Sequence, residues 1–450
     1  MNVKNSGFTL IELMVAMVVG LTAITSAYTL GSAMSRQFYE AQRTATSQGT
    51  SRMAIMELRR DVSRAGLLGS PNAQLETRCE AALPVLPLLT GGNGPMGAFQ
   101  YYSDVDQAVV DPGNLNGVSQ FVIGDRLRVL TSLYLTDQLL VDSVSTDGTT
   151  IILESGNQAY RRTFAWGQAA GPYATGGAVN YLQGTLGWNA AWAGEAAHWQ
   201  GIGQKGARAF QTGSVLHIET PSGNHFFRTG FAKGPNVVGQ VAVTVNPVLT
   251  TTTACLPGEG KNSTIAPLQW VEYALVDPFN YDDDASDTDP FMVFDGVFYT
   301  DLNPTLPDVI ANIDETDLLE SPNVVLVRRI LDPTNGNVMP RTTQVVAEFV
   351  TNFHVSFLLD TQSGQPGLPP AITRSTDLGA QTDVNASPEQ VRTVIIELGI
   401  RGPLEDPSLS FGAGAGAGTR FELNPAQDGS ARVRHMQIEI PVMNVARRNL

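Results

Sequence analysis

Cysteine is nearly absent: Cys79 and Cys255 are the only two in 450 residues. A dense disulfide scaffold is therefore excluded, and no CxxC or Cys/His cluster offers a zinc site. One bridge closing a very long loop is compatible with an exported head and would contribute roughly 5 kcal/mol in the chain-entropy model, less any strain. Two free thiols are equally compatible. Basic charge is also scarce, with 28 Lys and Arg against 43 Asp and Glu, a formal net charge of -15. Such a balance repels phosphate backbones and argues against nucleic acid as a partner. The five histidines, His198, His217, His225, His354 and His435, are scattered and form no HExxH. GxSxG and P-loop patterns are missing too, so nothing in the chain asks for an enzyme. The run Phe411-Gly-Ala-Gly-Ala-Gly-Ala-Gly-Thr is low in complexity. It lacks the strand, helix and downstream acid of a dinucleotide fingerprint.

What is present is globular: 42% hydrophobic, 8% aromatic and 16% charged residues. The length allows one large domain with insertions or two domains. Proline is missing before Pro71, so a helix that starts early can run far. From Phe8 to Gly31 lies an apolar run long enough to cross a bilayer. Glu12 sits inside it, where a carboxylate costs on the order of 3 kcal/mol even on lenient insertion scales. Met34, Phe38, Ala41, Ala45, Gly49, Met53 and Met56 continue at three- and four-residue spacing, with arginine and glutamate on the other faces. One helix from Phe8 to about Ala65 is predicted, with Ala65-Gly66 as its stop. It would span about 87 Å.

The remainder reads as strands. Runs from Phe121, Gln138, Thr149, Ser214 and Val237 form one set. Leu268–Val276, Phe291–Tyr299, Asn323–Leu331, Thr343–Phe349, Phe353–Leu359, Val391–Ile400 and Arg432–Val442 form another. Helical periodicity is nearly absent from both, which predicts a mostly antiparallel β head. Residues 67–116 read as irregular. Trp166, Trp188, Trp192 and Trp199 fall in a Gly/Ala-rich stretch. They either plug a small core under a loop or stack on carbohydrate or a partner. Asp282, Asp284, Asp287 and Asp289 supply hard oxygens of the kind calcium prefers. The run lacks the EF-hand glycine and terminal glutamate, and reads equally as a solvated acidic loop.

Lys4, Ser6 and Gly7 followed by Phe8-Thr9-Leu10-Ile11-Glu12-Leu13 resemble the class III signal of type IV prepilins. The resemblance implies cleavage by a prepilin peptidase between Gly7 and Phe8, N-methylation of Phe8, and Glu12 as an assembly residue. The physics agrees: a carboxylate one turn from the new Phe8 ammonium can compensate its charge at low dielectric, in the same chain or in a neighbour. A cleaved secretory signal or a plain anchor explains the length of the run but not Glu12.

Leu58-Arg59-Arg60-Asp61 leading to Arg64-Ala65-Gly66, with Val391-Arg392-Thr393-Val394-Ile395-Ile396-Glu397-Leu398 and the tail Val445-Ala446-Arg447-Arg448-Asn449, resembles PilW-type minor pilins. That family implies an α+β fold, a long N-terminal helix followed by a large mostly antiparallel β head. It implies an inner-membrane protein, single-pass with a periplasmic head, that helps initiate and caps a type IV pilus. Its partners would be other minor and major pilins, the inner-membrane assembly platform and a PilY-type tip adhesin. Expected segments are a leader at 1–7, a membrane or filament-core half-helix at 8–31 and an amphipathic half-helix at 32–66. A β-rich head with an insertion at 67–266 and a C-terminal β-rich pilin head at 267–450 follow. The alternatives are a minor pseudopilin of a type II secretion system, which shares leader and helix, and an adhesin or glycan-binding head displayed on a pilin stalk.

Overall fold

Helix α1 runs over Leu10–Val62 without a break. In a computed structural model, the residues described are 10–73, 75–76, 97–103, 123–154, 158–164, 209–210, 214–235, 241–246, 248–249, 256, 260–276, 324–332, 336–339, 342–362, 369–402, 420–421 and 431–442. The chain divides into two units, Met1–Arg52 and Met53–Leu450. The first is helical throughout its described length. The last turns of α1 belong to the second. Arg59 and Arg60 lie in the final turn, where cations complement the helix dipole. The helix then tightens, with Ala65 N–H donating to Val62 C=O, and Gly66 turns it at φ +69°. The Gly66 amide donates to Leu130 C=O at 2.9 Å, tying the helix exit to a strand.

The head is an α+β domain whose described strands pair antiparallel with one exception. A first sheet contains β1 (Phe99–Tyr102), β3 (Arg126–Thr131), β9 (Thr264–Val276), β10 (Val325–Leu331) and β11 (Gln344–Ala347). Its longest member, β9, does two jobs. Its C-terminal half pairs with β3 on one side and β10 on the other, while its N-terminal half pairs with β4 (Leu139–Val144) and β6 (Ser214–Glu219). From β4 the ladder continues through β5 (Thr150–Leu153), β8 (Val241–Asn246) and β7 (His225–Pro235) back to β6. Six strands thus close into a small antiparallel barrel with no free edge among them. Its interior is filled by Leu139, Val141, Ile151, Leu216, Phe226, Val243 and Ile265. Helix α2 (Gln158–Phe164) packs against this core, the Tyr160 hydroxyl accepting the Val241 N–H at 3.2 Å.

The second sheet has the order β13 (Ile372–Ser375), β12 (Val350–Asp360), β14 (Val391–Arg401), β16 (Ala431–Pro441) and β15 (Arg420–Phe421). The two-residue β2 (Ile123–Gly124) joins β12 in parallel. Between the strands lies α3 (Asp377–Ala386), a helix that the sequence pattern does not announce. It covers the edge of the first sheet: the Asn385 amide accepts the Tyr101 N–H at 2.7 Å and donates to the Tyr101 C=O at 2.8 Å, standing in for a neighbouring strand.

The largest core joins these parts. Ala54, Leu58 and Val62 of α1 pack with Leu127, Val271 and Tyr273 of the first sheet and Phe353, Val355 and Phe357 of the second. A stripe of four-, three- and four-residue steps (Ala54, Leu58, Asp61, Ala65) is wholly buried. Truncating Leu58 to Ala is expected to lower head stability by about 3 kcal/mol, while Leu58→Met costs less than about 1.5 kcal/mol. Urea denaturation of the detergent-solubilised chain, followed by near-UV circular dichroism, checks both.

Candidate functional site: the amino-terminal helix and the polar pins of the head

Within the first unit, Leu13–Ser35 is a stretch of 23 residues long and apolar enough to cross a membrane, and no part of its most apolar window is buried by the protein. Leu10, Ile11, Leu21, Ile24 and Tyr28 are each more than two-thirds exposed. Ile11, Leu13, Val18, Val19, Leu21 and Leu30, each more than half exposed, point in different directions around the helix, so apolar surface faces outward on every side. Five of its hydroxyls are satisfied within the helix. Thr22, Thr25, Ser26, Thr29 and Ser32 each donate to a carbonyl three or four residues back, at 2.8 to 3.0 Å. This internal satisfaction is what a helix in hydrocarbon or among other apolar helices requires. Glu12 belongs to the first turn of α1 by its backbone. Its side chain, and the whole of Gly7 and Phe8, lie outside the described residues. So do Cys79, Cys255, Asp282, Asp284, Asp287, Asp289, Trp166, Trp188, Trp192 and Trp199.

Among the described residues of the second unit four carboxylates are buried, and three of them, Asp61, Glu272 and Asp125, are almost wholly enclosed and held by groups from several elements. Asp61, on the core face of α1, is fully enclosed. Its Oδ2 accepts Arg328 Nε at 2.6 Å and the Tyr273 hydroxyl at 2.9 Å, and its Oδ1 accepts Arg60 Nε at 3.1 Å. Glu57, one turn earlier, pairs with Arg60 and lies 3.6 Å from Arg328. Burial disfavours the Arg328 charge, but Asp61 beside it wins and raises its proton affinity. Burial, then the Asp61 charge, pushes the Tyr273 hydroxyl well above the ordinary phenol range, so it remains a donor. The last turns of α1 are thereby bonded to β9 and β10 at positions that face each other in the ladder.

Glu272 lies on the opposite face of the same strands, in a cross-strand row of Gln100, Arg128, Glu272 and Arg329. Arg128 Nε approaches it at 2.6 Å and Arg329 Nη2 at 2.5 Å, with Arg126 at 3.9 Å. Burial opposes ionisation, but the three guanidinium groups outweigh it and hold the carboxyl below the usual range. Arg128 also sits over the Tyr102 ring, 4.9 Å from its centroid.

Asp125 stands where the chain leaves the second sheet through β2 and enters the first through β3. One oxygen, Oδ2, receives the Val355 N–H at 2.7 Å and the Tyr101 hydroxyl at 2.8 Å, with His354 Nδ1 at 3.0 Å. Burial, reinforced by Asp125, drives the Tyr101 hydroxyl far above the phenol range. The hydrogen bond to Asp125 raises the His354 value against the opposing effect of burial, with Asp377 and Glu397 adding to the rise. These three pins are structural ion pairs and hydrogen-bond nodes. None was singled out by spacing in the sequence. Asp61 carried the one available signal: a carboxylate on an otherwise apolar core stripe needs a buried partner.

Residues 2–28 match the family model described as the prokaryotic N-terminal methylation motif. No curated protein and no solved structure matches this chain. The motif and the outward-facing apolar helix that carries it support a type IV pilin-like protein, with an amino-terminal helix fit for membrane anchoring ahead of a large, mostly antiparallel β head.

Two outcomes follow from the pins. Asp61→Ala leaves Arg328 buried beside a lost partner and should destabilise the head by about 3–5 kcal/mol, with Asp61→Ala/Arg328→Met recovering most of that in equilibrium denaturation. For His354 the folded value lies above the unfolded value of about 6.5. Its contribution is therefore complete below about pH 6 and declines as pH rises through the folded value. His354→Gln should flatten that decline in melting temperatures recorded across pH.

Proposed function

We propose that this chain is a minor pilin of the PilW type, which helps initiate assembly of a type IV pilus and occupies its tip. The observation that carries the reading is a methylation motif set on a helix whose apolar surface faces outward all round. Such a helix is stable first in the bilayer and then among the helices of other pilins, so one surface serves both anchoring and assembly. A prepilin peptidase cuts after Gly7 and methylates Phe8. The Glu12 carboxylate then meets the Phe8 ammonium of its own chain or its neighbour and sets the axial register. The head sits in the periplasm and contacts other minor pilins, with a PilY-type adhesin as a further partner. Two sheets and a closed barrel make a bulky head, which suits an end position better than repetition along a shaft. The acidic stretch with Asp282, Asp284, Asp287 and Asp289 is the place in this head where calcium would bind, and Cys79 and Cys255 are the pair that could bridge in the periplasm.

Mass spectrometry of the purified protein is expected to find a start at Phe8 bearing one added methyl group. A deletion strain should lose surface pili while keeping type II secretion, and complementation with Glu12→Ala should restore a processed protein but not piliation. Normal piliation with secretion lost would instead identify a pseudopilin. An unprocessed amino terminus would overturn both.

A further inference from the structure

After α1 the chain crosses the head as a strap through Leu68, Ser70, Asn72 and Glu76. Asn72 secures one side of it, donating to Glu389 Oε2 at 2.9 Å and bridging to Gly97. The other side rests on two buried histidines of the β6–β7 hairpin, His217 and His225. Their ring planes are parallel within 3° with centroids 5.2 Å apart, lying edge to edge, and His217 stacks on Phe227 at 4.9 Å.

The hydrogen bonds of this cluster form a chain whose direction can be worked out. Leu68 C=O can only accept, and it lies 2.8 Å from His217 Nδ1, which must therefore carry hydrogen. Nε2 of a neutral His217 is then an acceptor, so His225 Nδ1, 3.0 Å away, donates to it. The remaining nitrogen, His225 Nε2, faces Glu76 Oε2 at 3.4 Å. A neutral ring and an ionised carboxylate would oppose two lone pairs there. One additional proton converts the contact into a charge-assisted hydrogen bond. Glu76 passes the connection on, because its Oε1 accepts the Ser70 hydroxyl at 2.5 Å and Ser70 Oγ accepts the Asn72 N–H at 3.2 Å. The strap is also held in a conformation it would not choose. Leu68 has φ +59°, a left-handed backbone that a leucine adopts only when its surroundings impose it.

We propose that His217, His225 and Glu76 form a proton-operated latch. One proton between His225 Nε2 and Glu76 Oε2 fastens the strap to the β6–β7 hairpin, and its loss lets the strained strap lift. Among the described residues, Glu219 stands directly across the ladder from His225 as a further acid. On the far side of β6, β9 presents the uncharged Thr264 and Ala266 opposite Glu219 and His217.

Hydrogen exchange of the full chain in detergent, corrected for intrinsic rates and compared at about pH 5.5 and about pH 8.5, tests the latch. Strap amides should lose about tenfold or more of their protection at the higher pH relative to those of β9, which report that the head remains folded. Glu76→Gln supplies an amide donor to a neutral His225 and should keep the strap protected at both values. His225→Phe should leave it unprotected at both. Equal strap protection at the two pH values in the unmodified chain, or an unchanged pH response in Glu76→Gln, would overturn the proposal.

Discussion

The contact between Asp61 and Arg328 is the constraint around which the head is arranged. A helix that carries a carboxylate into a core must find a cation there, because an uncompensated buried charge costs several kcal/mol. Arg328 comes from β10, and Tyr273, the second donor, from β9, opposite Arg328 in the ladder. The end of α1 is therefore fixed in rotation and in axial position against the first sheet. Apolar packing of Ala54, Leu58 and Val62 alone would tolerate sliding. The ion pair has one geometry, and it contributes specificity of docking more than net stability.

The same device recurs at the other seams. Asp125 binds donors from β1 and β12 at the point where the chain passes from one sheet to the other. Glu272 gathers arginines across β3, β9 and β10 on the face away from α1. Three carboxylates thus hold together elements that lie far apart in sequence. The barrel needs no such pin. It is closed by backbone hydrogen bonds and filled mainly by aliphatic side chains, and it shares β9 with the first sheet.

This division of labour suits a pilin-like protein. The amino-terminal segment is uniformly apolar on its outside, and Thr22, Thr25, Ser26, Thr29 and Ser32 spend their hydroxyls on its own backbone. Individuality resides in the head, where the barrel, the second sheet and the strap over His217 and His225 are built.

Much of this was legible in the amino acids. The length of α1 followed from an absence of proline before Pro71 and from the glycine at 66, because helix propagation is a local matter. Ser214–Glu219 and Val391–Arg401 stand almost where the apolar runs placed them. Other elements were hidden. Strand β7 was passed over because Gly230 interrupts its pattern, yet that glycine is needed: a Cβ there would lie 2.3 Å from the Thr244 carbonyl oxygen of the neighbouring strand. Strand β1 lay in a stretch read as irregular, and α3 has weak apolar periodicity, its role being to cap an edge through Asn385. What the sequence by itself determined was the motif, the apolar helix and the antiparallel character of the head, since each depends on neighbours a few residues apart. Only the tertiary structure decided the closure of the barrel, the choice of Arg328 for Asp61 and the meeting of His225 with Glu76. Those pairings join residues hundreds or scores of positions apart, and no local propensity encodes which distant partner a buried charge will find.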